Sequence, residues 1–311
     1  MSNKFNSIQW LIGVDAIFIF AILLTSFSLA INDTVADDDT KNVPPLFAFC
    51  VNSEKRTLDQ QNMMLHEIGF TGIGIEYNGT IKKFETEVAS AKKNLLKVAM
   101  VFLEVDITRD PPFNRDFVKV LPFLKGEGTQ LALQIRAGGK PTKPSDLLDE
   151  KIVEVIRQIR EIVERFEIGV VLYPHIPHSN NRCFYVETVK DAVRLAEKFP
   201  DHKVGVMFNL SHWAVNDKSD LETLFMLARP YLVSVTINGV DKPEEVKNKD
   251  VRSGNWIQPL DSGSFKIETL FEILKKNDYK GTFGLQCFGI SGNTKEHLKR
   301  SIKKWQELNG Q

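Results

Sequence analysis

His175, His212 and Glu76 are the residues of this chain best suited by type and place to acid–base chemistry. An imidazole titrates near neutrality, so two histidines can exchange protons with a bound molecule at ordinary pH. Glu76 ends an otherwise apolar run, Gly72 to Glu76, and is a reserve base. Gln134, Arg136, Tyr173, Asn209, Asn238 and Gln286 add groups that hydrogen-bond hydroxyls, and Trp213 offers an apolar ring face. Each stands at or just past the end of a short apolar run. Gathering polar groups there is costly unless a ligand, a metal or water completes their hydrogen bonds.

The elements that must position them alternate along the chain. Eight strand candidates, Leu46 to Val51, Gly72 to Glu76, Leu96 to Val105, Gln130 to Arg136, Gly169 to Tyr173, Lys203 to Phe208, Tyr231 to Ile237 and Thr282 to Cys287, are separated mostly by amphipathic helical stretches. Those helices are expected over Thr57 to Glu67, Lys82 to Lys93, Ser145 to Phe166, Val186 to Phe199, Leu221 to Ala228, Phe265 to Asn277 and Thr294 to Leu308. Runs such as Gly169-Val170-Val171-Leu172-Tyr173 are apolar on both faces, as buried parallel strands are. Eight repeats with no G-x-G-x-x-G after the first strand predict a single closed (β/α)8 barrel over residues 45–311. In such a barrel the C-terminal strand ends form the functional mouth. Side chains alternate along a strand, so Tyr173 shares a face with His175, and Gln134 with Arg136. An ion pair between Glu76 and Arg136 is the structural alternative for those two. His66, His202 and His297 fall on helical or loop stretches and read as surface residues.

Lys+Arg and Asp+Glu both number 40, so no global basic field attracts nucleic acid, and none is expected as a partner. Residues Ala16 to Asn32 carry no charge and end near Ser28-Leu29-Ala30, a small-x-small string. Residues 1–30 therefore read as a signal peptide or an N-terminal membrane anchor, and 31–44 as a flexible acidic linker. Either version exports the barrel, leaving it periplasmic or anchored facing outside the cytoplasm. Cys50 and Cys287 end the first and last strands, neighbours once a barrel closes; a bridge or two buried thiols are both open there.

The strings GVVLYPH (169–175), KVGVMFNLSHW (203–213), LVSVTIN (232–238), PLDSGSF (259–265) and YKGTFGLQCFG (279–289) resemble the xylose-isomerase-like sugar phosphate isomerase/epimerase barrels. The likeness runs from about Leu46 to Trp305 and is nearest to an exported branch from planctomycete-like bacteria. It implies a TIM barrel acting on a sugar or sugar derivative by proton transfer beside a carbonyl, with possible pairing into homo-oligomers. It also implies a divalent metal held by carboxylates. Here the corresponding positions carry Tyr173, Asn209 three residues before His212, a place near Thr236 or Asn238, and Gln286, so every expected carboxylate is missing.

Two versions of the mouth follow. In one, His175, His212, Asn209 and Gln286 rebuild a site for manganese, zinc or magnesium. In the other no metal binds, and Asn209, Asn238, Gln134 and Gln286 read sugar hydroxyls. With catalysis, His175 and His212 are the acid and base, and Asn209, Gln286 or a metal holds the oxyanion. The alternatives are a carbohydrate-binding barrel without turnover, or a sugar lyase or hydrolase on the same fold.

Overall fold

The computed structural model describes residues 43–177, 183–201, 203–246 and 256–311. The expected signal or anchor (1–30) and residues 31–42 of the linker lie outside them. Among the described residues no helix is long and apolar enough to cross a membrane.

Eight parallel strands close into one barrel in sequence order. They are β1 (Leu46–Phe49), β2 (Gly72–Glu76), β3 (Lys97–Asp106), β4 (Gln130–Arg136), β5 (Gly169–Leu172), β6 (Val204–Asn209), β7 (Leu232–Ile237) and β8 (Thr282–Gln286). The ring closes by pairing β1 with β8, Phe49 opposite Gln286. The helices are α1 (Leu58–Ile68), α2 (Ile81–Lys93), α3 (Asp146–Val163), α4 (Val189–Ala196), α5 (Leu210–His212), α6 (Leu221–Ala228), α7 (Pro243–Val246), α8 (Ile267–Lys276) and α9 (Thr294–Leu308). Between β3 and β4 a 3-10 stretch, Arg115–Leu124, replaces an α-helix. Helix starts follow local sequence: the Thr57 hydroxyl accepts from the Gln60 amide while the Gln60 side chain accepts from the Thr57 amide. The fold takes hold before residue 45, since Trp305 Nε1 donates to the Pro44 carbonyl at 3.2 Å and Val43 packs on the core.

The alternation of strand side chains builds two cores. Outward residues, such as Val170, Leu172, Phe208 and Ile237, pack under the helices. Inward residues, Phe47, Phe49, Met100, Phe102, Ala132, Val171, Tyr173 and Met207, fill the barrel. Phe49, Phe102 and Tyr173 stack in sequence, with ring centroids 5.1 and 5.4 Å apart. Each ring pair adds roughly 0.5–1.5 kcal/mol beyond its burial. Phe47 fits because β8 offers glycine opposite it: a Cβ on Gly284 would lie 2.3 Å from the ring.

Candidate functional site

The C-terminal strand ends enclose a cavity of about 320 Å³. Its base is the top of the inner aromatic stack, Phe49, Phe102 and Tyr173, and its walls carry Glu76, Gln134, His175, His212 and Gln286. Glu76 comes from β2 and His212 from the turn after β6, four places apart in an eight-strand ring. They stand on opposite sides of the mouth.

One side is a closed polar network. Asn209, the last residue of β6, caps the short helix α5, accepting from the His212 amide at 3.0 Å. Its Nδ2 donates to Gln286 Oε1 at 2.9 Å and to the Tyr173 hydroxyl at 3.3 Å. The Ser211 hydroxyl lies 2.6 Å from Asn209 Oδ1 and 2.7 Å from Gln286 Oε1. Asn209 therefore spends its amide on its neighbours. Burial holds the Tyr173 phenol well above its ordinary pKa, with the charge of Glu76 adding to the effect, so it stays protonated. Its oxygen accepts from Asn209, while its O–H and Gln286 Nε2 donate to no described residue.

The two histidines are oriented alike. His175 Nδ1 lies 2.8 Å from the Ile176 carbonyl, and His212 Nδ1 lies 3.0 Å from the Pro174 carbonyl. A carbonyl only accepts, so both Nδ1 atoms carry hydrogen and a neutral ring bears its lone pair at Nε2. The rings pack 4.5 Å apart, and Tyr173 stacks on His212 at 5.4 Å. Across the mouth, Glu76 is exposed and has neither hydrogen bond nor ion pair among the described residues. Gln134 is buried and equally unpartnered. Burial, then the charge of Glu76, pushes the Cys50 thiol up to about 12, so it is no nucleophile near neutral pH.

The structure thus gathers Glu76, Gln134, Tyr173, His175, His212 and Gln286, with Asn209 behind them. It does not bring Arg136, Asn238 or Trp213 to the cavity lining. Arg136 points inward one layer further out and pairs with Glu104 at 2.9 Å, not with Glu76. Asn238 donates to the Gly239 carbonyl at 2.7 Å. Trp213 follows α5, so its ring turns away, donating to the Ser219 carbonyl and packing on Phe265. The aromatic surface comes instead from Trp256, 6.0 Å from the His212 ring, and from Phe49, Phe102 and Phe288. Trp256 sits on the β7–α8 connection, where no periodicity marks it; Ser211 lies within the Asn-Leu-Ser-His string, unremarked. His297 is buried, not a surface residue, because it faces inward from α9. The cysteines are free thiols.

A hard divalent cation held by carboxylates, as the family resemblance implies, does not suit this donor set. The positions that would hold it carry a phenol locked in its protonated form and two amides bonded to each other. Hard cations take charged oxygen ligands. No group of three or more His, Cys, Asp or Glu suited to a metal ion occurs among the described residues.

The fold is widely shared. A 3-keto-D-glucoside 4-epimerase from E. coli superposes with a TM-score of 0.63 at 17% identity, covering 85% of this chain and 99% of that one. A D-allulose 3-epimerase from Methylomonas sp. gives 0.64 at 12% identity, over 85% and 98%. A family 2 AP endonuclease from Brucella melitensis gives 0.61 at 18% identity, over 82% and 96%. Such different activities on one scaffold make this a likeness of fold alone. No curated protein matches the sequence. The sequence profile of one family does match, over residues 121–308 and so more than half of the chain, and the chain belongs to that family, the xylose isomerase-like TIM barrels.

Proposed function

We propose that the mouth binds a sugar or sugar derivative and moves a proton at a carbon beside its carbonyl, as an isomerase or epimerase, without a metal of the family type. The carrying observation is the opposition of Glu76 on β2 to His175 and His212 beyond β5 and β6, around one cavity. Removing a proton from one face of a carbon and returning it to the other needs an acid and a base on opposite sides. Glu76 takes the proton, the C–H electrons move into the C–C bond, and the carbonyl π electrons move to oxygen. The Tyr173 O–H and Gln286 Nε2 hydrogen-bond that oxygen as charge develops. A histidine protonated at Nε2 returns a proton to the opposite face; the reverse reaction exchanges the roles. The structural relatives include epimerases, which fits this reading.

The self-satisfied network of Asn209, Ser211 and Gln286 favours a second reading, a binding barrel without turnover. Incubating the protein with aldoses, ketoses and 3-keto sugars in D₂O, followed by ¹H NMR, separates the two. Turnover places deuterium at the carbon beside the carbonyl, and Glu76→Gln and His212→Ala each slow it by roughly 10²–10⁴-fold. A sugar that binds without exchange identifies a binding protein; exchange untouched by His212→Ala removes His212 from the mechanism.

Export, and membership of the planctomycete-like branch, rest on the apolar residues 16–32 and the Tyr-Pro-His and Asn-Leu-Ser-His-Trp strings. Cell fractionation tests export directly. Pairing into homo-oligomers is likewise a proposal, checked by light scattering.

A further inference from the structure

The central cavity is not alone at the mouth. A second hollow of about 580 Å³ opens beside it and shares three of its walls, Glu76, Phe102 and Gln134. Small-ligand pockets run from roughly 300 to 1,000 Å³. The central cavity, about 320 Å³, sits at the lower end of that range, and its neighbour is the larger of the two.

The chemistry of the second hollow is complementary to a sugar ring. Asn78 and Asn114 line it, and each spends its carbonyl oxygen on a nearby backbone amide: Asn78 Oδ1 accepts from Thr80, and Asn114 Oδ1 from Asp116. Their Nδ2 groups donate to no described residue. Arg115 lines the same groove, exposed and with no acidic partner among the described residues. The groove's own carboxylate, Glu104, is already engaged by Arg136 at 2.9 Å and approached by Arg109 at 3.8 Å. The hydroxyl of Tyr77, another lining residue, is buried with no hydrogen-bond partner among the described residues. The outer wall thus presents donors, while Glu76 and Gln134, shared with the central cavity, supply the acceptors. Sugar hydroxyl, ring and glycosidic oxygens accept such donors.

We propose that the substrate is a disaccharide-sized glycoside. Its reacting unit occupies the central cavity, and its second sugar unit lies in the groove against Asn78, Asn114 and Arg115. This rests on the sugar-binding reading above and extends it to a substrate class. Gln134, buried, unpartnered and common to both hollows, meets the junction between the units.

Calorimetric titration of the full chain with D-fructose and D-glucose, against lactulose, palatinose, cellobiose and maltose, tests it. The expected result is at least one disaccharide binding about tenfold or more tighter than its matched monosaccharide. Arg115→Ala and, separately, Asn78→Ala remove most of that advantage and leave the monosaccharide Kd within about twofold. Both residues are exposed, so neither change threatens folding. Monosaccharides binding as tightly as every disaccharide, or variants weakening both classes equally, would overturn the groove assignment while leaving a sugar-binding mouth. Binding of none of the six overturns both.

Discussion

If amides have replaced carboxylates in a self-consistent way, putting carboxylates back must break the barrel mouth in the absence of metal. In the double variant Asn209→Asp/Gln286→Glu, two acceptors meet where Asn209 Nδ2 now donates to Gln286 Oε1 at 2.9 Å. Two charges about 3 Å apart repel by about 5.5 kcal/mol at an effective dielectric near 20. The pair limits this by keeping one proton, and holding it at pH 7 on a group whose ordinary pKa is near 4 costs about 4 kcal/mol. For a chain of this size that lowers Tm by roughly 10 °C. The folded pKa of the shared carboxyl is raised, so stability is full below the unfolded value near 4. It is lost as pH rises, by about 1.4 kcal/mol per pH unit until both groups ionise. Melting curves by circular dichroism at pH 4.5 and 7, with and without Mn²⁺, read out each part. Mn²⁺ at about a thousand times its Kd returns about 4 kcal/mol to the variant and leaves the natural chain unmoved. A variant that melts like the natural chain at pH 7, or a natural chain that Mn²⁺ stabilises, refutes the reasoning.

Gly284→Ala places a Cβ 2.3 Å from the Phe47 ring, so urea unfolding should show a loss of roughly 1–3 kcal/mol, and Phe47→Leu in the same chain should recover part of it. His297 has both ring nitrogens buried without a partner among the described residues; burial lowers its pKa, with the Glu54 charge opposing and the Arg300 charge reinforcing that shift. Its depressed pKa means that the unfolded chain takes a proton below about pH 6.5 that the folded chain refuses, so stability falls on acidification. Urea midpoints from pH 7.5 to 5 should therefore drop more steeply in the natural chain than in His297→Leu, and equal slopes count against this. Unreduced protein in denaturant should show three reactive thiols, with Cys50 and Cys287 slow to react in the native state because burial raises both thiol pKa values; a count of one would mean a bridge.

The barrel was legible because its strands are buried on both faces and announce themselves as apolar runs; β2 and β4 coincide with their sequence ranges, and the other six strands differ by one or two residues at one or both ends. The mouth was legible where a side chain continues the strand's own alternation, as for Glu76, Gln134, Tyr173 and Gln286. It was illegible where the chain changes geometry or a neighbour intervenes. Residues after Asn209 rotate by about 100° each in a helical turn instead of alternating, which carries Trp213 out of the mouth. Arg136 keeps the expected face, but Glu104 on β3 neutralises it, a cross-strand pairing that depends on register. Trp256 reaches the His212 ring from a connection whose path no local periodicity encodes.

The missing carboxylates and the surviving one belong to one electrostatic design. A metal balances the charge of the carboxylates around it, so without the metal those charges would face each other unscreened in a buried site. Neutral groups at Tyr173, Asn209 and Gln286 satisfy one another instead, donor against acceptor. Glu76 has no such constraint: it stands on the far side of the ring, exposed to water. Its charge helps hold the Tyr173 phenol in its protonated form. A carboxylate base thus faces a neutral wall of donors, which is the polarity a carbonyl compound meets when a proton leaves one side and charge gathers on oxygen at the other.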